Sequence, residues 1–152
     1  MAAEYIALDQ QISLNSPVTF FASIPCRKGF IYHEDGSGVF ILRGSVNNPN
    51  ACFAQYQIVF NGNIAIPTGG AVTPIALPIV ESGETKPGSL AIYTPAAVEE
   101  FGNVTSTSIV KVPRGCCFTV AIEYVSGVTD GTTTPTPSIL IQNGNLTINR
   151  IA

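Results

Sequence analysis

Two adjacent cysteines, Cys116 and Cys117, stand in the stretch PRGCCFTV at 113–120. Such a pair is open to redox cycling, to half of a metal site, or to no chemistry at all. A structural zinc site wants ligands separated by about two to four residues, so that a knuckle can wrap the ion. Here the pair is adjacent and Cys26 and Cys52 lie far apart in the chain, so the spacing fails; no C-x-x-C motif occurs either. Successive strand residues point to opposite faces, and the pleat itself holds the two thiols apart. They read as two small apolar residues. Cys116 is expected in the core with Phe118, Val120, Ile122 and Tyr124, and Cys117 opposite with Thr119, Ala121 and Glu123. A Cys26–Cys52 bridge stays open, because a sequence gives no distances.

The single histidine, His33, neighbours Glu34 and Asp35. No serine elbow and no second histidine complete a triad with it, so a solvated turn histidine is expected. Glu99–Glu100 and Glu81 with Glu84 read as solvated acids, since no cleft is predicted around either pair. No phosphate loop, dinucleotide fingerprint or calcium loop is present. The expectation is a non-enzyme with no catalytic residue, no cofactor and no metal.

The elements that must carry these residues follow from composition and periodicity. The chain has 152 residues, 45% apolar and only 11% charged, with a formal net charge of −3. That length predicts one domain, able to bury roughly 68–70% of its unfolded surface. Seven scattered basic residues argue against nucleic acid, which needs a basic stripe, and against an anionic membrane. The longest uncharged run, Gly44 to Val80, is broken throughout by Asn, Gln, Gly and Pro, so no membrane span is expected. The opening MAAEYIALDQQISLN lacks a basic region and a continuous apolar stretch, which reads as no secretory signal and a reducing compartment during synthesis.

The period is two almost everywhere. Cys52, Ala54, Tyr56, Ile58 and Phe60 alternate with polar residues. GFIYHEDGSGVFILRG reads as a hairpin about Asp35–Gly38, and VTPIALPIV with SLAIYT as a second. Pro113-Arg114-Gly115 turns TSTSIVKV into CCFTVAIEYV. Asn143-Gly144-Asn145 marks a bulge or tight turn, where the apolar set switches from Ile139 and Ile141 to Leu146 and Ile148. One short helical turn is expected in TPAAVEEFG, capped by Thr94, with Pro95 at its first position and Gly102 past its end. The stretch 126–138 reads as an exposed loop. About eight short strands favour an all-β antiparallel sandwich.

The closing LTINRIA, after two late strands, resembles the end of a TNF/C1q-like jelly roll. NIAIPTGGAVTPIALPIVESGE, YTPAAVEEFGNV, VPRGCCFTV and NLTINRIA are similar to small virion-associated proteins of gut Firmicutes and their phages. The likeness covers about residues 25–152. It implies a jelly-roll domain over 16–152, assembled as a homotrimer. It also implies a structural virion role as capsid decoration or head-fibre protein, docked on the major capsid protein or another virion protein. The chain would be made in the bacterial host cytoplasm and displayed on the virion surface. The alternative is a carbohydrate- or receptor-binding adhesion module of a phage fibre or of a bacterial spore or cell surface, with weak glycan contact through loops. Unlike collagen-like spore-surface proteins, this chain has no Gly-X-Y tract, and the absence of tryptophan weighs against stacking on sugars.

Low charge fits subunits packed about a threefold axis. Residues 1–15 read either as an extended N-terminal arm or as the first strand of the sandwich. In the arm reading Tyr5, Ile6 and Leu8 contact a neighbouring subunit or a capsid protein, by strand addition or by filling a groove.

Overall fold

The computed structural model describes residues 2–26, 29–45, 50, 52–128 and 131–151. Among the described residues the alternating pattern becomes fourteen strands: β1 (Ala2–Ala7), β2 (Gln10–Ser13), β3 (Phe21–Ile24), β4 (Ile31–Tyr32), β5 (Phe40–Arg43), β6 (Phe53–Ala65), β7 (Ile75–Ala76), β8 (Ile79–Glu81), β9 (Glu84–Thr85), β10 (Ile92–Tyr93), β11 (Gly102–Pro113), β12 (Cys117–Ile122), β13 (Val125–Ser126) and β14 (Ser138–Arg150). All pairings are antiparallel. A large sheet runs β11-β6-β14-β1-β3, with β2 also on β14; a second runs β4-β5-β12-β8-β9; β10-β7-β13 form a small third. This is an all-β jelly roll.

The core lies between the two larger sheets. Along β6, Ala54, Tyr56, Ile58, Phe60 and Ile64 are buried while Phe53, Gln57 and Asn61 are exposed, as the period of two requires. Cys52, before the strand begins, is exposed rather than part of that row. Rings of Tyr5, Phe40, Phe20 and Phe60 form a chain of edge contacts, with centroids 4.6, 5.5 and 6.1 Å apart. Each such aromatic stabilises the fold by about 1.5–3 kcal/mol through burial alone.

Of residues 1–15, Ala2–Ala7 and Gln10–Ser13 are strands of the large sheet and not a detached arm. β1 pairs with β14 from Ala2↔Asn149 to Ala7↔Gly144, and on its other side with β3. β2 pairs higher on β14, Ile12 opposite Ile139. The reason is burial: Ala3, Tyr5, Ala7 and Ile12 all enter the core, and leaving them outside would forfeit that apolar contact. β14 carries the expected bulge, with its register on β6 shifting between Gln142 and Asn145 and Asn143 at φ 54°. Gly144 is required there, because a Cβ on it would stand 2.6 Å from the Ala7 Cβ.

Both expected hairpins form. β4 pairs with β5, and β7 with β10, and a tighter hairpin, β8 with β9, lies inside the second loop. The Pro113–Gly115 turn does something else: β11 stays on β6, whereas β12 joins β5 and β8 in the opposite sheet. The one helical turn of the described residues is a 3-10 turn at Pro87–Ser89, not at Thr94–Gly102. In that segment Glu99 adopts φ 60°, and its amide donates to the Ile66 carbonyl at 2.7 Å. A bond to a neighbouring loop replaces the helical one, and Gly102 instead begins β11. Within the 126–138 loop, residues 129 and 130 lie outside the described residues; 131–134 are exposed, but Thr136 is buried, its amide bonded to Thr73 Oγ1 at 3.0 Å.

The margins of the large sheet carry charged groups. On β3, the Ala22 amide donates to Asp35 Oδ1 at 2.9 Å. On β11, the Lys86 ammonium donates to the Ile109 carbonyl at 3.0 Å.

Candidate functional site: the outer face of the large sheet

Of the three residues singled out at the N-terminus, the structure separates one from two. Tyr5 is 2% exposed and belongs to the core, while Ile6 and Leu8 are 39% and 55% exposed on the outer face. Burial pushes the Tyr5 hydroxyl up to about 12, with the Cys26 and Asp35 charges adding to it.

Strand register turns the odd residues of β6 and their partners into rows across this face. One row runs Phe21, Ile6, Asn145, Asn61, Thr105; the next runs Ile24, Glu4, Thr147, Val59, Thr107. Further rows are Ala2, Asn149, Gln57, Ile109 and Gln142, Asn63, Asn103. Among these rows and the neighbouring Gln55–Lys111 pair, Glu4 and Lys111 are the charged residues. The rest are amides, hydroxyls and aliphatics. Asn103 Nδ2 donates to Asn61 Oδ1 at 2.5 Å and lies 3.4 Å from Asn63 Oδ1; Thr147 Oγ1 donates to Asn145 Oδ1 at 3.3 Å. Phe53, Ile24 and Ile109 stand exposed alongside. Sequence reasoning did not find this field of amides, although its signal is present twice, as Asn61-Gly62-Asn63 and Asn143-Gly144-Asn145.

The β14 bulge opens the face locally. A depression of about 640 Å³ is lined by Ile6, Leu8, Asp9, Asn143 and Asn145, and a second of about 320 Å³ by Asp9, Gln11, Phe101, Leu140 and Gln142. Gln10 fixes the intervening jog between β1 and β2: its Nε2 donates to the Leu8 and Thr19 carbonyls, and its Oε1 accepts from Thr19.

The residues first weighed for chemistry are scattered by the fold. Cys116 is exposed in the turn before β12 and not in the core; the turn closes with its amide donating to the Pro113 carbonyl at 3.0 Å. Cys117 is exposed as expected, and Phe118, Val120, Ile122 and Tyr124 do turn inward. Cys26 and Cys52 are thiols rather than a bridge. His33 is half-buried, not solvated: its ring stacks on Phe40 with centroids 4.2 Å apart, and its Nε2 lies 2.8 Å from the Ser37 carbonyl. Glu99 accepts a bond from Thr68 Oγ1 at 2.6 Å, and Glu81 lies 3.8 Å from Lys86. Among the described residues no three His, Cys, Asp or Glu side chains are grouped to hold a metal ion, and no helix is long and apolar enough to cross a membrane.

The arrangement defines a TNF/C1q-like jelly roll, and solved structures agree. The chain is similar to Eiger TNF from S. frugiperda (8% identity over all of this chain and 92% of that one, TM-score 0.62). It is also similar to the globular domain of zebrafish complement 1qA (13%, 99% and 97%, TM-score 0.61) and to murine APRIL (8%, 99% and 100%, TM-score 0.63). No protein-family model matches the chain, and no curated protein matches it in sequence.

Proposed function

We propose that this chain is a non-enzymatic jelly-roll module that trimerises through the outer face of its large sheet and decorates the surface of a particle. The particle in this reading is a phage virion, and the chain a capsid decoration or head-fibre protein. The observation that carries self-association is the face itself: five strands wide, lined by amides, hydroxyls and exposed aliphatics, with two charges among its described rows. Burying charges is costly, whereas an amide both donates and accepts and can be satisfied by another copy of itself. The TNF/C1q-like architecture supports the same reading, and the strings quoted from 63–84, 93–104 and 112–120 support the virion context.

Light scattering on the purified chain should give a trimer mass. Lysine at Ile6 and Val59 together should yield a folded monomer. A wild-type monomer at micromolar concentration overturns the trimer. Mass spectrometry of purified virions should find the chain in many copies, and its absence overturns the decoration role.

A second reading, a glycan-binding adhesion module, is favoured by the bulge depressions, where Asp9, Gln142 and Asn145 offer hydrogen bonds beside Phe101. Binding to a neutral glycan array that is lost in Asp9→Ala supports it.

A further inference from the structure

Charge is distributed unevenly along the molecule. Five of the seven basic residues are described, and four of them, Arg43, Lys111, Arg114 and Arg150, gather at one end. Arg43 closes β5, and its carbonyl accepts the Tyr56 hydroxyl at 2.5 Å. Arg150 pairs with Tyr56 in register and holds its guanidinium 3.9 Å from the Phe30 ring centroid. Lys111 lies 5.8 Å from the Phe53 ring centroid, and the Arg114 amide donates to the Cys52 carbonyl at 2.9 Å. The described segments that build this end, 2–4, 24–26, 29–31, 42–45, 52–56, 110–118 and 148–151, contain one acid, Glu4, which stands opposite Ile24 and Thr147 at its inner margin. The fifth cation, Lys86, is on the flank beside Glu81.

The other described acids lie elsewhere. Glu99 and Glu100 stand in the loop before β11 starts, at the opposite end. Glu123 bridges Pro17 just beyond β12, and Glu34 and Asp35 occupy the loop between β4 and β5. A chain of net charge −3 therefore presents one pole where four described cations face a single acid, Glu4.

That pole also exposes Phe53, Ile24 and Ile151. Arginine and aromatic anchors among apolar side chains are the composition of a protein interface, whereas nucleic acid calls for a longer basic stripe. Guanidinium forks match carboxylates with two parallel bonds. We infer that this pole docks on a carboxylate-rich protein surface, leaving the acidic loops and the threonine-rich 131–134 segment facing away. The particle-decoration reading supplies only the partner's identity; the charge pattern stands without it.

Immobilised poly-L-glutamate is the probe, with duplex DNA and phosphatidylserine vesicles in parallel. At low salt the full chain should bind polyglutamate in preference to both, and lose it as salt rises. Arg43→Glu with Arg114→Glu should weaken binding by about tenfold or more, while Glu99→Lys with Glu100→Lys should not. Arg114→Glu alone, in an exposed turn, serves if the double variant fails to fold. No polyglutamate binding, equal loss in both variant pairs, or tighter binding to DNA or vesicles overturns the inference. A trimer found on virions that ignores polyglutamate overturns this inference alone; a monomer that binds it overturns the trimer alone.

Discussion

His33 lies flat on Phe40, ring centroids 4.2 Å apart and planes 12° from parallel, while the Tyr5 edge closes on the same histidine at 5.0 Å. This contact joins the loop after β4 to the first strand of the other sheet. Phe40 anchors it, being fully buried and touching Tyr5 and Phe20 as well. Phe40→Ala should cost about 3–5 kcal/mol, and His33→Ala about 1 kcal/mol, the scale of a single ring pair. Urea unfolding of the two variants measures both; equal losses would mean that the histidine stack is doing more than packing.

Alkaline pH should unfold the protein through its buried tyrosines. Burial pushes the hydroxyls of Tyr5 and Tyr124 up to about 12, and Tyr124 also donates to the Thr136 carbonyl at 2.7 Å. An acid whose folded pKa is raised binds more protons folded than unfolded. The stability it contributes is therefore complete below about pH 10 and is lost as pH rises toward about 12. Denaturant midpoints across that window, read with ultraviolet tyrosinate absorbance, test it. A flat profile there would contradict the burial.

At the β14 bulge, Gly144→Ala should destabilise by about 1–3 kcal/mol, because the added methyl meets Ala7 Cβ. Pairing it with Ala7→Gly should recover part of the loss. Thermal melting of the single and double variants decides, and additive losses would exclude the contact.

Cys116→Ser and Cys117→Ser should each change stability by no more than about 0.5 kcal/mol, as both thiols are exposed. Ile122→Ala, from the inward face of the same strand, should cost about 2–5 kcal/mol. A large loss at Cys116 alone would restore it to the core.

These outcomes track which parts of the fold were legible in the sequence. Alternation placed Ala54, Tyr56, Ile58 and Phe60 inward, and the switch of apolar set at Asn143–Asn145 located the bulge, because both are carried by consecutive residues. Cys116 was misplaced by one residue at a strand boundary, where periodicity has no say. Thr94, Pro95 and Gly102 all signal a helical turn locally, yet the Glu99 amide finds the Ile66 carbonyl, a partner no local rule supplies. His33 looked solvated beside two acids, and the rings that cover it come from residues 5 and 40. The outer face was least visible: its rows exist only once β3, β1, β14, β6 and β11 lie side by side, although the repeated Asn-Gly-Asn tripeptide hinted at it.

The bonds from Ala22 to Asp35 and from Lys86 to Ile109 have a consequence for growth. A strand from another molecule would have to begin pairing at those margins, and at each it meets a side chain already in place. Each bond takes up one of the backbone groups that such a strand would need in order to lengthen the large sheet into a fibril. In the trimer proposed here, copies would meet face against face, in a number that geometry can count.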